Sequence, residues 1–201
     1  MDIVLYDIRR PLSPGEKSCL SPARLARSQK FRFEEDRARC LAAGYLIEHV
    51  LRVPEESLIK GEFGKLYGAE SPTCYFNVSH AGNYVVLVQA SHEVGVDVEL
   101  VGGYDRRVAK KCYTPEEMEW LDTQHSDEAF YRLWTAKESI MKATGRGFDF
   151  PPESFSVLPM DETPHTIDNR LWYLHWLLYQ DHVICSAVEQ EREQTDVRCI
   201  E

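Results

Sequence analysis

No apolar run in the chain approaches the roughly 18–20 residues of a membrane-spanning helix. None of its 201 residues belongs to a low-complexity tract or a long flexible linker. The N-terminus carries Asp2 and Asp7 where a secretory leader needs basic charge, and the apolar stretch between them is too short for one. Export and membrane insertion are therefore not expected. The six cysteines, Cys19, Cys40, Cys74, Cys112, Cys185 and Cys199, are widely spaced and form no C-x-x-C pair. That spacing excludes a disulfide framework and a zinc knuckle, and it fits reduced thiols in the cytoplasm. Bases are in deficit: 23 Lys and Arg stand against 33 Asp and Glu, a net charge of −10. A field of that sign opposes general nucleic-acid binding. No G-x-S-x-G elbow is present, and the adjacent Ser79-His80 pair cannot easily reach attack geometry, so a serine hydrolase is disfavoured.

What is present is an ordinary globular composition, 43% hydrophobic and 28% charged, in a chain long enough for one domain or two small fused ones. The alternation from Ile3 to Ile8 suggests a strand. Ser21-Pro22 opens a helix with a serine cap and proline in the first turn. From Glu34 to Leu51 apolar residues recur at spacings of three and four, which predicts a helix with three acids in its first turn and Pro54 beyond its end. Strands are expected at Cys74–Val78, Tyr84–Ala90 and Val94–Leu100. Gly102-Gly103, near the midpoint, is the natural joint. Beyond it, Thr114-Pro115-Glu116-Glu117 has the capping-box pattern. Ala129 to Thr144 reads as a helix closed by Gly145, and Leu171–Tyr179 with Val183–Val188 reads as a strand pair turned at Gln180-Asp181-His182. Each half offers helices and paired strands. The expectation is an α+β protein of two similar α/β lobes related by a pseudo-twofold, residues 1–101 and 102–201, each a small antiparallel sheet packed with helices, with an active site in the cleft between them.

Four segments could carry chemistry. In Gly95-Val96-Asp97-Val98-Glu99 the valines point to one face and the two acids to the other, and the acids lie roughly 7 Å apart along the strand. They could share a cation or form the solvated face of an edge strand. On the helix Trp134–Lys142, Glu138 and Lys142 share a face at i,i+4, either as an exposed ion pair or as an oxygen ligand beside a phosphate-binding cation. Phe76-Asn77-Val78-Ser79-His80 runs a strand into a turn that could offer Ser79 and His80 to a phosphate, or simply satisfy local backbone groups. Residues 22–52 hold seven bases (Arg24, Arg27, Lys30, Arg32, Arg37, Arg39, Arg52) and four acids, a net +3 in an acidic chain. Such a stretch is a solvated helix face or a patch for a small polyanion.

Taken in order, these segments resemble the Sfp-type 4′-phosphopantetheinyl transferases, which carry a strand-turn close to F-N-x-S-H, a G-x-D-x-E strand and a helical W-x-x-K-E-x-x-x-K. Here they stand as Phe76–His80, Gly95–Glu99 and Trp134–Lys142, and the likeness runs from about Ser21 to Gly147. The resemblance implies an enzyme that moves the phosphopantetheine arm of coenzyme A onto a serine of an apo acyl, peptidyl or aryl carrier protein. It implies Mg²⁺ held by Asp97, Glu99 and Glu138, with Lys142 at the transferred phosphate. It implies Ser79 and His80 at the nucleotide, and Arg24, Arg27, Arg39 and Lys65 around the 3′-phosphate and pyrophosphate. Glu138, directly or through a water, is the expected base for the acceptor serine. Glu117 matches a family acid but is explained by its capping box. A self-sufficient monomer is implied, with Gly102–Val108, including Arg106 and Arg107, as a loop that meets the carrier. Two other readings use the same residues: a metal-dependent hydrolase of nucleotide pyrophosphates, and a non-catalytic module that binds coenzyme A or a carrier protein.

Overall fold

The computed structural model describes residues 1–68, 75–161, 163–190 and 195–200. Cys74, the expected first residue of a strand, lies outside the described residues. The first strand, β1 (Asp2–Asp7), is followed by three helices, α1 (Pro14–Ser18), α2 (Pro22–Ser28) and α3 (Glu34–Tyr45). Ser21 caps α2 by accepting from the Arg24 backbone N–H. The helix expected from Glu34 to Leu51 keeps its start, but its last turn, Leu46–Val50, widens to a π turn. A short hairpin, β2 (Leu58–Lys60) and β3 (Leu66–Gly68), leads to β4 (Tyr75–Ala81) and β5 (Tyr84–Ala90). Then come β6 (Val94–Leu100), α4 (Arg106–Cys112), α5 (Pro115–Gln124) and α6 (Asp127–Thr144). The chain closes with β7 (His165–Ile167), β8 (Arg170–Tyr179), β9 (His182–Glu189) and β10 (Asp196–Ile200). Among the described residues no helix is long and apolar enough to cross a membrane.

Two four-stranded sheets organise these elements, ordered β10-β1-β5-β4 and β6-β9-β8-β7. All pairings are antiparallel except β1 with β10, which is parallel. A strand, a set of helices and then a hairpin that returns beside that first strand occur twice, as β1-α3-β4-β5 and as β6-α6-β8-β9. This recurrence places the joint just before β6. The boundary expected at residue 101 would leave β6 in the first lobe, yet Asp97 pairs with Cys185 in the second sheet. The last strand crosses back the other way, pairing Ile3 with Val197 and Tyr6 with Ile200.

Three apolar cores follow. One lies between the first sheet and α3, and one between the second sheet and α6. The third joins the sheets: Ile3, Leu5, Val86 and Val88 meet Val94, Val96, Val98, Ile184 and Val188, each almost fully buried. The valines of β6 thus serve as the mortar between lobes, which fixes where the alternate residues of that strand must point.

Candidate functional site

Gly95 begins the site. A Cβ at this position would lie 2.0 Å from the Ser139 carbonyl oxygen and 2.4 Å from the Ala143 nitrogen. Only glycine lets β6 lie this close to the backbone of α6. With the valines turned into the core between the sheets, Asp97 and Glu99 share the face of Gly95 and project along α6. There Glu138 and Lys142 stand one helical turn apart. The four side chains line one open cleft with Val78, Ser79, His80, Val98 and Trp134.

The hydrogen bonds are specific. Asp97, 3% exposed, accepts on Oδ1 from the Ser79 hydroxyl at 3.0 Å and from Lys142 Nζ at 2.5 Å. Lys142 also donates to Ser79 Oγ at 3.0 Å. The Trp134 indole N–H donates to Glu99 at 3.2 Å. Asn77 Oδ1 accepts from the Val96 backbone N–H at 3.0 Å and so ties β4 to β6 across the lobes. Burial, and next the Asp97 charge, push the Glu99 carboxyl up to about 7. The same two causes raise Glu138, with Lys142 pulling the other way. His80 is exposed at its edge of the cleft, and partial desolvation, with the Arg39 and Lys142 charges, holds its imidazole below the ordinary value.

These carboxylates suit a hard divalent cation. Asp97 Oδ2 is buried with no hydrogen-bond donor among the described residues, an arrangement that costs free energy until something positive meets it. Burial and the Asp97 charge oppose the ionisation of Glu99 and Glu138, and an oxygen-only ligand set favours Mg²⁺ over zinc. The arrangement differs from the expected trio in one respect. Among the described residues no three acidic, His or Cys side chains are already closed into a chelating group. Instead the Lys142 ammonium lies against Asp97.

A second depression adjoins the first, sharing Val78 and His80 as a common wall. Arg24, Arg27 and Arg39 line it together with Phe31 and Asp36, neither of which is among the expected site residues. Asp36 has one local signal, its i,i+3 spacing to Arg39. Lys65 does not join them. It lines neither depression; its side chain is 3% exposed and its ammonium pairs with Glu93. It also donates to the carbonyls of Val94 (3.2 Å) and Ala143 (2.6 Å). Its charge is spent inside the protein, on the junction of β6 with α6.

Two further expectations change. Residues 106–108 are helical, not loop, because Asp105 caps α4 by accepting from the Arg107 N–H. Arg106 is paired with Asp122, and Arg107 with Asp105. Glu117 forms its capping box with Thr114 but does more. It is fully buried, pairs with Lys137 at 2.8 Å and accepts from the Val157 N–H. Lys137 also donates to the Pro152 and Phe155 carbonyls. This pair is internal scaffolding on the buried face of α6.

Comparison with known proteins identifies the family. The family described as the 4′-phosphopantetheinyl transferase superfamily matches residues 93–194, beginning at the edge of β6. A 4′-phosphopantetheinyl transferase of Bacillus subtilis is 32% identical over 166 residues, covering 76% of this chain and 74% of its own. One from Bacillus pumilus is 31% identical over 151 residues, covering 70% and 64%. The 4′-phosphopantetheinyl transferase AcpT of Escherichia coli (strain K12) is 32% identical over 136 residues, covering 65% and 66%.

Proposed function

Because the chain belongs to the 4′-phosphopantetheinyl transferase superfamily, we propose that it transfers the phosphopantetheine arm of coenzyme A to a serine hydroxyl of an apo acyl, peptidyl or aryl carrier protein, releasing adenosine 3′,5′-bisphosphate in a Mg²⁺-dependent reaction. The observation that carries this reading is the meeting of Asp97, Glu99, Glu138 and Lys142 in one cleft beside an arginine-lined pocket.

Asp97, Glu99 and Glu138 are the residues that would hold Mg²⁺, which when bound supplies positive charge to the pyrophosphate oxygens. Ser79 fixes the Asp97 carboxylate by donating to it. Lys142, drawn to Asp97 before substrate arrives, is placed to follow the transferring phosphoryl group and stabilise the charge that builds on it. Glu138, directly or through a water, takes the proton of the acceptor serine as its oxygen closes on phosphorus. His80, on the wall between the two depressions, offers a ring N–H to a phosphate oxygen, and Arg24, Arg27 and Arg39 surround the adenosine end. The carrier protein approaches by α4, where Lys110 and Lys111 are exposed beside Val108. Free cysteines among the described residues fit a cytoplasmic setting, and the cleft needs no second copy of the chain.

The test is intact mass spectrometry of a panel of apo carrier proteins incubated with the chain, Mg²⁺ and coenzyme A. A gain of one phosphopantetheine on any of them is expected. Release of adenosine 3′,5′-bisphosphate without a carrier protein would instead mark a pyrophosphate hydrolase.

A further inference from the structure

The arginine pocket is less basic than its sequence. Arg24 is 5% exposed and committed: it donates from Nε to Glu55 at 3.0 Å, pairs with the other Glu55 oxygen through Nη2 at 2.6 Å, and turns Nη1 to the Cys40 carbonyl. Gly44 has no side chain because Arg24 passes 2.8 Å from where its Cβ would be. Ser21 donates to the same Glu55 carboxylate, completing a closed cluster. Arg39 is also engaged, with Nη2 on Asp36 at 2.5 Å and Nη1 on the Gly82 carbonyl at 2.6 Å. Asp36 itself lines the pocket. Three guanidinium groups are thus met by two carboxylates, and the remaining cation, Arg27, is on the exposed side of α2. The rest of the wall is mostly apolar: Phe31, Ala43, Ile47, Leu66 and Val78. Beside the His80 ring on its shared wall, the pocket offers one uncommitted surface cation, and its mostly apolar remainder suits a purine ring. It is poorly equipped for a dianionic phosphate, which elsewhere draws several free, bidentate guanidinium groups.

We propose that the 3′-phosphate of coenzyme A adds little to its recognition by this chain, and that 3′-dephospho-coenzyme A serves as a second donor of the arm. The inference rests on the transferase reading above. The chemistry at the cleft is the same for both donors. The serine oxygen bonds to the phosphorus that carries the pantetheine arm, the phosphoanhydride P–O bond breaks, and the serine proton passes to Glu138. The leaving group is adenosine 5′-monophosphate in place of adenosine 3′,5′-bisphosphate. A single exposed ion pair discriminates by no more than about fivefold.

The experiment compares kcat/KM for coenzyme A and for 3′-dephospho-coenzyme A with the full chain, Mg²⁺ and one apo carrier protein, with the nucleotide product identified by chromatography. A preference for coenzyme A below about tenfold is expected, and a larger one overturns the inference. In Asp36→Asn, which releases Arg39, the preference for coenzyme A should grow. In Arg27→Gln it should fall to near unity. An unchanged ratio in both variants rejects the charge pairing as its cause. Dissociation constants of the two compounds, measured on the chain without carrier protein, separate this inference from the reading beneath it. A ratio above about tenfold defeats the pocket argument even without turnover. Equal binding with no transfer from coenzyme A to any carrier defeats the transferase reading instead.

Discussion

Lys137 and Glu138 are neighbours in the chain and opposites in environment. A helix turns about 100° per residue, so one side chain enters the core to meet Glu117 while the next reaches the cleft. Their substitutions should therefore fail in different ways. Glu138→Gln keeps the shape but cannot accept a proton. It should lower kcat by about 10²–10⁴-fold with little change in Tm, and near-normal turnover would remove Glu138 as the base. Glu117→Leu leaves an ammonium buried without its counter-charge and should cost about 3–5 kcal/mol in chemical denaturation. Adding Lys137→Met should recover most of that loss, since an apolar pair of similar volume replaces a desolvated ionic one.

Between elements, Lys65 makes a bond that no local pattern announces. Its partners are Glu93, Val94 and, 78 residues away, Ala143. Val94 opens β6, and Ala143 follows Lys142 in the last turn of α6, where carbonyls lack intrahelical donors. One ammonium thus holds the strand that carries Asp97 against the helix that carries Glu138. Lys65→Met should lower kcat while leaving the KM for coenzyme A near its original value. The reverse pattern, KM raised at constant kcat, would return Lys65 to phosphate binding. The helix α1 offers a pH test. Glu16 completes a capping box with Ser13, and its carboxyl is held down to about 2, first by the Arg10 guanidinium and then by the Ser13 N–H. The unfolded chain binds this proton more readily, so the stabilisation is complete above the ordinary carboxylate value and is lost as pH falls toward 2. The Tm gap between the chain and Glu16→Gln should close over that range. Elements with strong periodicity were legible beforehand: β5 and β6 from β-branched runs between turns, and α6 from its apolar stripe and Gly145. The carboxylate pairs followed, because periods of two and of 3.6 decide which side chains share a face. The helix α4 was not legible, since only Ala109 on it is buried and its amphipathic signal is correspondingly faint.

At the scale of the molecule, the local pattern locates β6 and says nothing of which sheet it joins. Pairing is decided by contacts far apart in sequence, as is the return of β10 to β1. The result is that neither lobe is covalently or physically complete alone. The second sheet begins with a strand that follows directly on β5, the first sheet ends with the last described strand, and the core between them is as dry as those within. Val96 and Val86 are fully buried, on strands of different sheets. Two lobes joined only by a tether would melt separately. Lobes that share a core and exchange a strand should melt together. A single calorimetric transition is expected, with calorimetric and van't Hoff enthalpies equal. Val96→Ala should lower that one transition by on the order of 2 kcal/mol without dividing it. Two resolved transitions would mean that the cleft is framed by independent bodies, and the close approach of β6 to α6 at Gly95 could not then hold the carboxylates in register with the arginine pocket across from them.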